Sequence, residues 1–277
     1  AGTGGGHDVV VRTGVGDGRG VFSYAPPSIT SVSSVGTAGG IVTIVGENLG
    51  ANASTINVSI GSSPCEVVTI NHTDATCEAL AGAGGGLGVR VVVSSQWTFS
   101  DAIFSYSAPV VGNVSVVNTG GGWITVSGYS FGSSEDSVRV EVNGVECANV
   151  THVVNHTTLS CVVGEAARGN VDEVDVRVGG GTEGDPLTGS GTLSYAAPTI
   201  DNVTTTDTEG GLVTIRGSSF GLAGATVHIG ETLCQGVSYL VPHSVIACRV
   251  GASAGPLDGL NVTLELSGAY GRGSFSY

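Results

Sequence analysis

The sequence predicts an all-β protein: three tandem β-sandwiches in a rod, preceded by the last hairpin of a fourth. Three observations predict it. A closing phrase recurs as Phe22-Ser23-Tyr24, Phe104-Ser105-Tyr106, Leu193-Ser194-Tyr195 and Phe275-Ser276-Tyr277, its tyrosines 82, 89 and 82 residues apart. Sixteen residues after each of the first three tyrosines stands the second glycine of a pair, Gly40, Gly122 or Gly211. Apolar residues alternate with period two, as in Val138-Arg139-Val140-Glu141-Val142 and Val174-Asp175-Val176-Arg177-Val178. That alternation marks strands with one face buried and one wet. Self-similarity at a fixed period marks stacked copies of one unit.

The units are residues 1–24 (a partial repeat, last hairpin only), 25–106, 107–195 and 196–277. Each complete unit is entered through a short joint: Tyr24-Ala25-Pro26, Tyr106-Ser107-Ala108-Pro109 or Tyr195-Ala196-Ala197-Pro198. No Gly/Ser linker intervenes, and proline restricts the residue before it, so the joints read as stiff. After each glycine pair comes a β-branched strand ending in glycine: Ile41-Val42-Thr43-Ile44-Val45-Gly46, Trp123-Ile124-Thr125-Val126-Ser127-Gly128 and Leu212-Val213-Thr214-Ile215-Arg216-Gly217. A turn then ends in Leu49-Gly50, Phe131-Gly132 or Phe220-Gly221. Short strands follow at intervals of 8–12 residues, a spacing that predicts two antiparallel sheets face to face. Three such sandwiches in line make a rod of roughly 100 Å.

Each unit holds one cysteine pair: Cys65/Cys77, Cys147/Cys161 and Cys234/Cys248. The separations are too long for a C-x-x-C metal or redox site, so three intradomain disulfides are expected, each worth roughly 3 kcal/mol. They require an oxidising compartment.

Composition narrows the function. The chain has 277 residues with 47 glycines and 8 prolines; without a triplet period, collagen is excluded. A net charge of −14, with arginine as the sole strong base, repels phosphate backbones and argues against nucleic-acid binding. No apolar run approaches the ~20 residues of a membrane span, and Ala1–Asp8 lacks a signal-peptide pattern.

The opening prolines Pro26, Pro109 and Pro198, the Gly-Gly-x-[VI]-Thr-[IV]-x-Gly strand, the [LF]-Gly turn and the closing strand together resemble the IPT/TIG family of immunoglobulin-like domains. The resemblance covers residues 25–277, three instances in register. It implies an immunoglobulin-like β-sandwich. Such domains occur in plexin-like and growth-factor-receptor ectodomains, large cell-surface proteins, starch-acting enzymes and Rel-type transcription factors, so function must come from sites.

Sequons are the strongest chemical signal. Asn52, Asn57, Asn71, Asn113, Asn149, Asn155, Asn202 and Asn261, eight of the twelve asparagines, are followed by x-Ser/Thr. Chance would supply about 2.5, so a surface carrying covalent N-glycans is expected. Gly128-Tyr129-Ser130-Phe131-Gly132 and Gly217-Ser218-Ser219-Phe220-Gly221 fit G-x-S-x-G, but no helix follows to hold a nucleophile. The first repeat has Asn48 at the serine position, so a turn is expected. Gly82–Gly88 and Gly179–Gly181 read as loops and hairpin tips, and His152 and His156 as solvated loop histidines. No insertion creates a cleft to house paired carboxylates. Neither cofactor nor catalytic residue is expected, and Trp97 and Trp123 offer weak support for sugar stacking.

The front fragment is the informative oddity. Val9-Val10-Val11 precede Tyr24 as Val91-Val92-Val93 precede Tyr106. Asp8–Tyr24 therefore reads as a closing hairpin turning through Gly14-Val15-Gly16-Asp17-Gly18. A lone hairpin is marginal in water. Either it belongs to a longer array with its other strands upstream, or Val9, Val10, Val11, Val21, Phe22 and Tyr24 pair in trans with a neighbouring copy, head to tail. The leading expectation is an extracellular structural glycoprotein, subunit of a filament or surface array. The alternative is a receptor or adhesin ectodomain binding a protein partner.

Overall fold

A computed structural model of the chain describes residues 2–166, 169–179, 184–252 and 259–275. Gly180, Gly181, Ser276 and Tyr277 of the motifs above lie outside the described residues. Among those residues the fold is all-β apart from one short 3-10 turn, Ala53–Thr55. Among the described residues no helix is long and apolar enough to cross a membrane.

The second and third repeats are each a sandwich of two four-stranded antiparallel sheets, and the first is a seven-stranded antiparallel sheet folded into the same two layers. In the second repeat one sheet runs Val110–Val114, Gly122–Tyr129, Thr158–Val163, Ala148–Val154. The other runs Val145–Glu146, Val138–Val142, Asp172–Val178, Leu187–Leu193. The third repeat has the same order, ending in the hairpin Leu260–Leu266 and Ala269–Phe275. In the first, one unbroken strand, Ser63–Ile70, serves both sheets: its start pairs with Ile56–Ile60 and its end with Asp74–Ala79.

The period-two pattern sets what is buried. Val140 and Val142 lie beside Val176 and Val174 on the inner face of one sheet in the second core, and the other two repeats have separate cores of the same kind. The disulfides belong to each core, with Cys77, Cys161 and Cys248 fully buried and Cα–Cα separations of 5.4, 5.8 and 5.7 Å. Cys65 pairs with Val58 in one sheet while Cys77 pairs with Val42 in the other, so the bridge ties the two sheets together. Glycine stands one residue before the end of the strand after each pair for a steric reason: a Cβ at Gly46, Gly128 or Gly217 would collide with the carbonyl oxygen of Ser28, Val110 or Thr199.

The closing tyrosines are anchored differently. The Tyr106 hydroxyl donates to Leu80 O at 2.8 Å, whereas Tyr195 donates to Asp172 Oδ2 at 2.7 Å. Burial pushes the Tyr195 phenol well above its ordinary 10.0, and the Asp172 carboxylate, as acceptor and as charge, adds to the rise. The fold therefore holds the neutral phenol. Its contribution is whole below pH 10 and is lost as the pH climbs above that value. The melting temperature of the second repeat should stay level through neutral pH and fall above about pH 10; a melting temperature unchanged to about pH 12 would contradict this.

The front fragment forms a separate two-stranded sheet, His7–Thr13 with Gly16–Phe22, in register from His7↔Phe22 to Thr13↔Gly16. Its turn is the two residues Gly14-Val15, tighter than the five-residue turn read from the sequence, because Thr13 and Gly16 already pair. The Thr13 hydroxyl reinforces that end by donating to Gly16 O at 2.6 Å. Neither edge joins another strand among the described residues. Val9, Val10, Val11, Val21, Phe22 and Tyr24 remain 39–70% exposed.

Candidate functional site: the joints between repeats

The polar groups that matter most lie between domains. At the first joint the Thr37 hydroxyl, from the turn before Gly39-Gly40, accepts the Gly132 N–H at 3.2 Å and lies 3.0 Å from His156 Nδ1. At the second, the Thr119 hydroxyl accepts the Gly221 N–H at 3.1 Å and lies 3.1 Å from His243 Nδ1. The two threonines are 2% and 0% exposed. Both joints use equivalent positions: the threonine three before the second paired glycine, the glycine closing the [LF]-Gly turn, and the histidine five before the second cysteine.

Each joint adds contacts of its own. Across the first, Gly85 N donates to Asp185 O at 2.8 Å and Asp185 N to Gly85 O at 2.7 Å. Ala83 packs against the second core. Across the second, the Ser219 hydroxyl donates to Asn118 Oδ1 at 3.1 Å, and His243 Nε2 stands 3.1 Å from Glu165 Oε2. The linkers are held as well, with Ser107 N donating to Val35 O at 2.7 Å and Ala196 N to Val117 O at 2.8 Å. The front hairpin meets the first repeat at a reduced version of this joint. Thr3 Oγ1 lies 2.9 Å from Ser94 Oγ, and Gln96 Nε2 donates to Tyr24 O at 2.9 Å. The Phe22 and Tyr24 rings meet edge to face at 4.9 Å, like Phe104 and Tyr106 in a complete repeat.

The G-x-S-x-G serines belong to this joint surface. Ser130 and Ser219 have φ of 60° and 59°, and Asn48 at the same position has 59°. Asparagine is among the non-glycine residues that best tolerate that left-handed turn, which explains the exchange. His152 and His156 are not the solvated loop histidines the sequence suggested. Both are part-buried: His152 bonds Phe131 O at 3.0 Å, and His156, like His243 in the third repeat, is bonded to the preceding repeat.

All eight sequon asparagines are exposed. Asn52 and Asn71 fold their Oδ1 back onto Ser54 and Thr73, the sequon hydroxyls, at 2.9 Å each. Asn57, Asn113, Asn149, Asn202 and Asn261 lie on strands, and Asn155 in the turn beside His156. The second repeat does have a cleft, of about 370 Å³, lined by Glu146, Glu165, Asp172 and Tyr195 among others. It arises where Glu146, Asp172 and the loop after Val163 diverge, a feature sequence spacing does not report. Asp172 there accepts the Tyr195 hydroxyl, and Glu165 is paired with His243. Trp97 and Trp123 are each 61% exposed, with the Arg90 guanidinium 5.9 Å from the Trp97 ring. Among the described residues no group of His, Cys, Asp and Glu could hold a metal ion.

Removing the Thr119 hydroxyl leaves the Gly221 N–H and His243 Nδ1 without their partner at a buried joint. Thr119→Val keeps the shape and should cost about 1–3 kcal/mol of coupling between the second and third repeats. Faster hydrogen exchange at the Gly221 amide would register it. Unchanged exchange would mean the contact carries nothing.

The IPT/TIG domain model matches three times, at residues 27–106, 109–195 and 198–277. Fibrocystin-L of Homo sapiens is 29% identical over 169 residues, 59% of this chain and 4% of that protein. Tiger protein E1 of Dictyostelium discoideum is 27% identical over 248 residues, 83% of this chain and 27% of that protein. Plexin-A2 of Mus musculus is 32% identical over 152 residues, covering 51% and 8%. The chain thus spans about a quarter or less of the length of these relatives. With the matched segments taking in nearly the whole sequence and each folding as a two-sheet sandwich, the chain belongs to the IPT/TIG domain family.

Proposed function

We propose that this chain is an extracellular, N-glycosylated, non-catalytic segment of a repeat array, which holds and spaces its domains within a receptor-like ectodomain or surface array. The observation that carries this reading is the joint made twice from equivalent atoms, Thr37 with Gly132 and His156, then Thr119 with Gly221 and His243. A chain selected only for beads on a string has no need to bury a threonine between beads. Three disulfides fit an oxidising compartment, and eight exposed sequons fit passage through a glycosylating one. Likeness to Plexin-A2 and Fibrocystin-L supports the same setting. Its partners are neighbouring repeats and covalent N-glycans, and on the receptor reading a protein ligand. The test is the chain secreted from eukaryotic cells, imaged in negative stain with its glycopeptides mapped. Straight particles of one length carrying glycans at most of the eight asparagines are expected. Particles bent at random, or bare asparagines, would overturn the reading.

A second reading, a filament subunit whose front hairpin pairs in trans, is favoured by one observation. Both hairpin edges are unpaired, and its valines are exposed. It faces an obstacle, because each complete repeat already has its own closing hairpin in place. A trans partner must displace that hairpin or extend a sheet edge. Sedimentation decides between them. Association that rises with concentration and vanishes on deleting residues 1–24 supports the filament, and a monomer throughout removes it.

A further inference from the structure

The front hairpin has the register of a closing hairpin from a complete repeat. Its pairs Val9↔Gly20 and Val11↔Gly18 correspond to Val174↔Gly191 and Val176↔Gly189 in the second repeat. In the third they correspond to Val262↔Gly273 and Leu264↔Gly271. In the second and third repeats these glycines lie under the first strand, while the first repeat has Ser100 and Ala102 at the same distances from its tyrosine. A Cβ at Gly189 would collide with Pro109 O and one at Gly191 with Val111. At Gly271 it would stand 2.6 Å from Pro198 O, and at Gly273 2.6 Å from Ile200 Cγ2. At Gly18 and Gly20 a Cβ would meet nothing within 4 Å. The valines agree: Val174, Val176 and Val262 are fully buried, whereas Val9 and Val11 are 43% and 59% exposed. The hairpin has the glycine cradle for a Pro-x-[Val/Ile] strand and stands without it.

The adjoining end of the first repeat carries an independent mark of the same gap. Gly50 and His72 occupy the positions of Gly132 and His156, and Leu49 N donates to His72 O as Phe131 N does to His156 O. The Gly50 N–H has no hydrogen bond among the described residues. His72 Nε2 is buried without a partner. At this place the Gly132 N–H and His156 Nδ1 meet the Thr37 hydroxyl from the repeat before, whereas the gap at His72 shows at its other ring nitrogen.

We infer that the hairpin cradle and the Gly50/His72 site are one docking surface, occupied by the opening strands of another IPT/TIG repeat lying N-terminal to Ala1 in the same polypeptide. Its Pro-x-[Val/Ile] strand lies over Gly18 and Gly20, its sheets cover Val9 and Val11, and its threonine before the glycine pair reaches Gly50 and His72. A second copy of this chain has no such half-domain to offer, since its three complete repeats keep their own closing hairpins. In both existing joints, moreover, the threonine comes from the repeat immediately before. This inference rests on the array reading above.

The test supplies the missing half from the chain itself. Residues 107–164 are duplicated directly ahead of Ala1, so that Ala1 takes the place of Glu165; a second graft uses residues 25–80, with Ala1 in the place of Ala81. Hydrogen exchange is then followed at Val9, Val11 and Gly50, alongside sedimentation. Protection of all three amides by roughly 100-fold over the ungrafted chain, in a monomer, is expected. Gly20→Val should abolish protection of the hairpin in the grafted chain yet leave the ungrafted chain unchanged. Valine at the threonine of the grafted turn should release the Gly50 amide alone. If neither graft protects the hairpin, whether through misfolding or by standing apart, the inference is overturned. It is overturned also if protection comes only in oligomers, which would assign the surface to a second copy. Straight particles of the ungrafted chain beside an unprotected graft would sink this inference and leave the array reading standing.

Discussion

Cys161→Ser is expected to lower the stability of the second repeat by at least about 3 kcal/mol. Two effects add. The bridge to Cys147 closes a loop with a sequence separation of 14, which restricts the unfolded chain. The sulfur at 161 is fully buried among Ile124, Leu159 and Val140, so a serine hydroxyl there must find a partner in an apolar core or go without. A repeat of this size shifts its Tm by roughly 4–8 °C per kcal/mol, so the second repeat should melt on the order of 15 °C earlier. Calorimetry under non-reducing conditions would show one transition splitting away from the others. A shift below about 5 °C would mean that the core holds the two sheets together without the bridge.

Phe220→Ala should cost the third repeat about 3–5 kcal/mol. The ring is fully buried, at the turn where the chain leaves the strand Gly211–Ser218. Its backbone N–H donates to His243 O at 3.0 Å, which holds the turn against the histidine that meets Thr119. The cavity therefore opens directly beneath the second joint. Denaturant unfolding should show the third repeat unfolding first, together with faster exchange at Gly221. A loss confined to the core, with Gly221 still protected, would mean the joint is positioned independently of the turn. The same change at Phe131 offers a check, since that ring is also fully buried and precedes Gly132.

What could be read from the residues was whatever each repeat does for itself. The alternation in Val138–Val142 reports burial inside one sandwich, and the cysteine spacing and the glycine near the end of the strand after each glycine pair repeat with it. The joints were hidden for a physical reason. Thr37, Thr119 and Ser219 are buried by the neighbouring repeat, and no periodicity within one strand records that. His156 sits in a polar Asn-His-Thr turn, which looks solvated until the preceding threonine is placed beside it. A signal was available: threonine three residues before the second glycine and histidine five before the second cysteine occur in all three complete repeats. The cleft beside Glu146 and Asp172 had no such signal, because it depends on how far a loop stands from a strand. The hairpin was legible as a hairpin, but its alignment with Val91–Val93 was not: Val9 pairs with Gly20, four residues before Tyr24, whereas Val91 pairs with Thr98, eight before Tyr106. Its emptiness became specific only with space measured over Gly18 and Gly20.

In the array reading the repeats are docked at fixed angles by buried threonine contacts. Pulsed dipolar spectroscopy tests it most directly, with nitroxide side chains at two exposed positions, Val68 in the first repeat and Leu240 in the third. A single narrow distance distribution is predicted, broadening when Thr37 and Thr119 are both replaced by valine. A broad distribution in the unaltered chain, indifferent to those replacements, would contradict it.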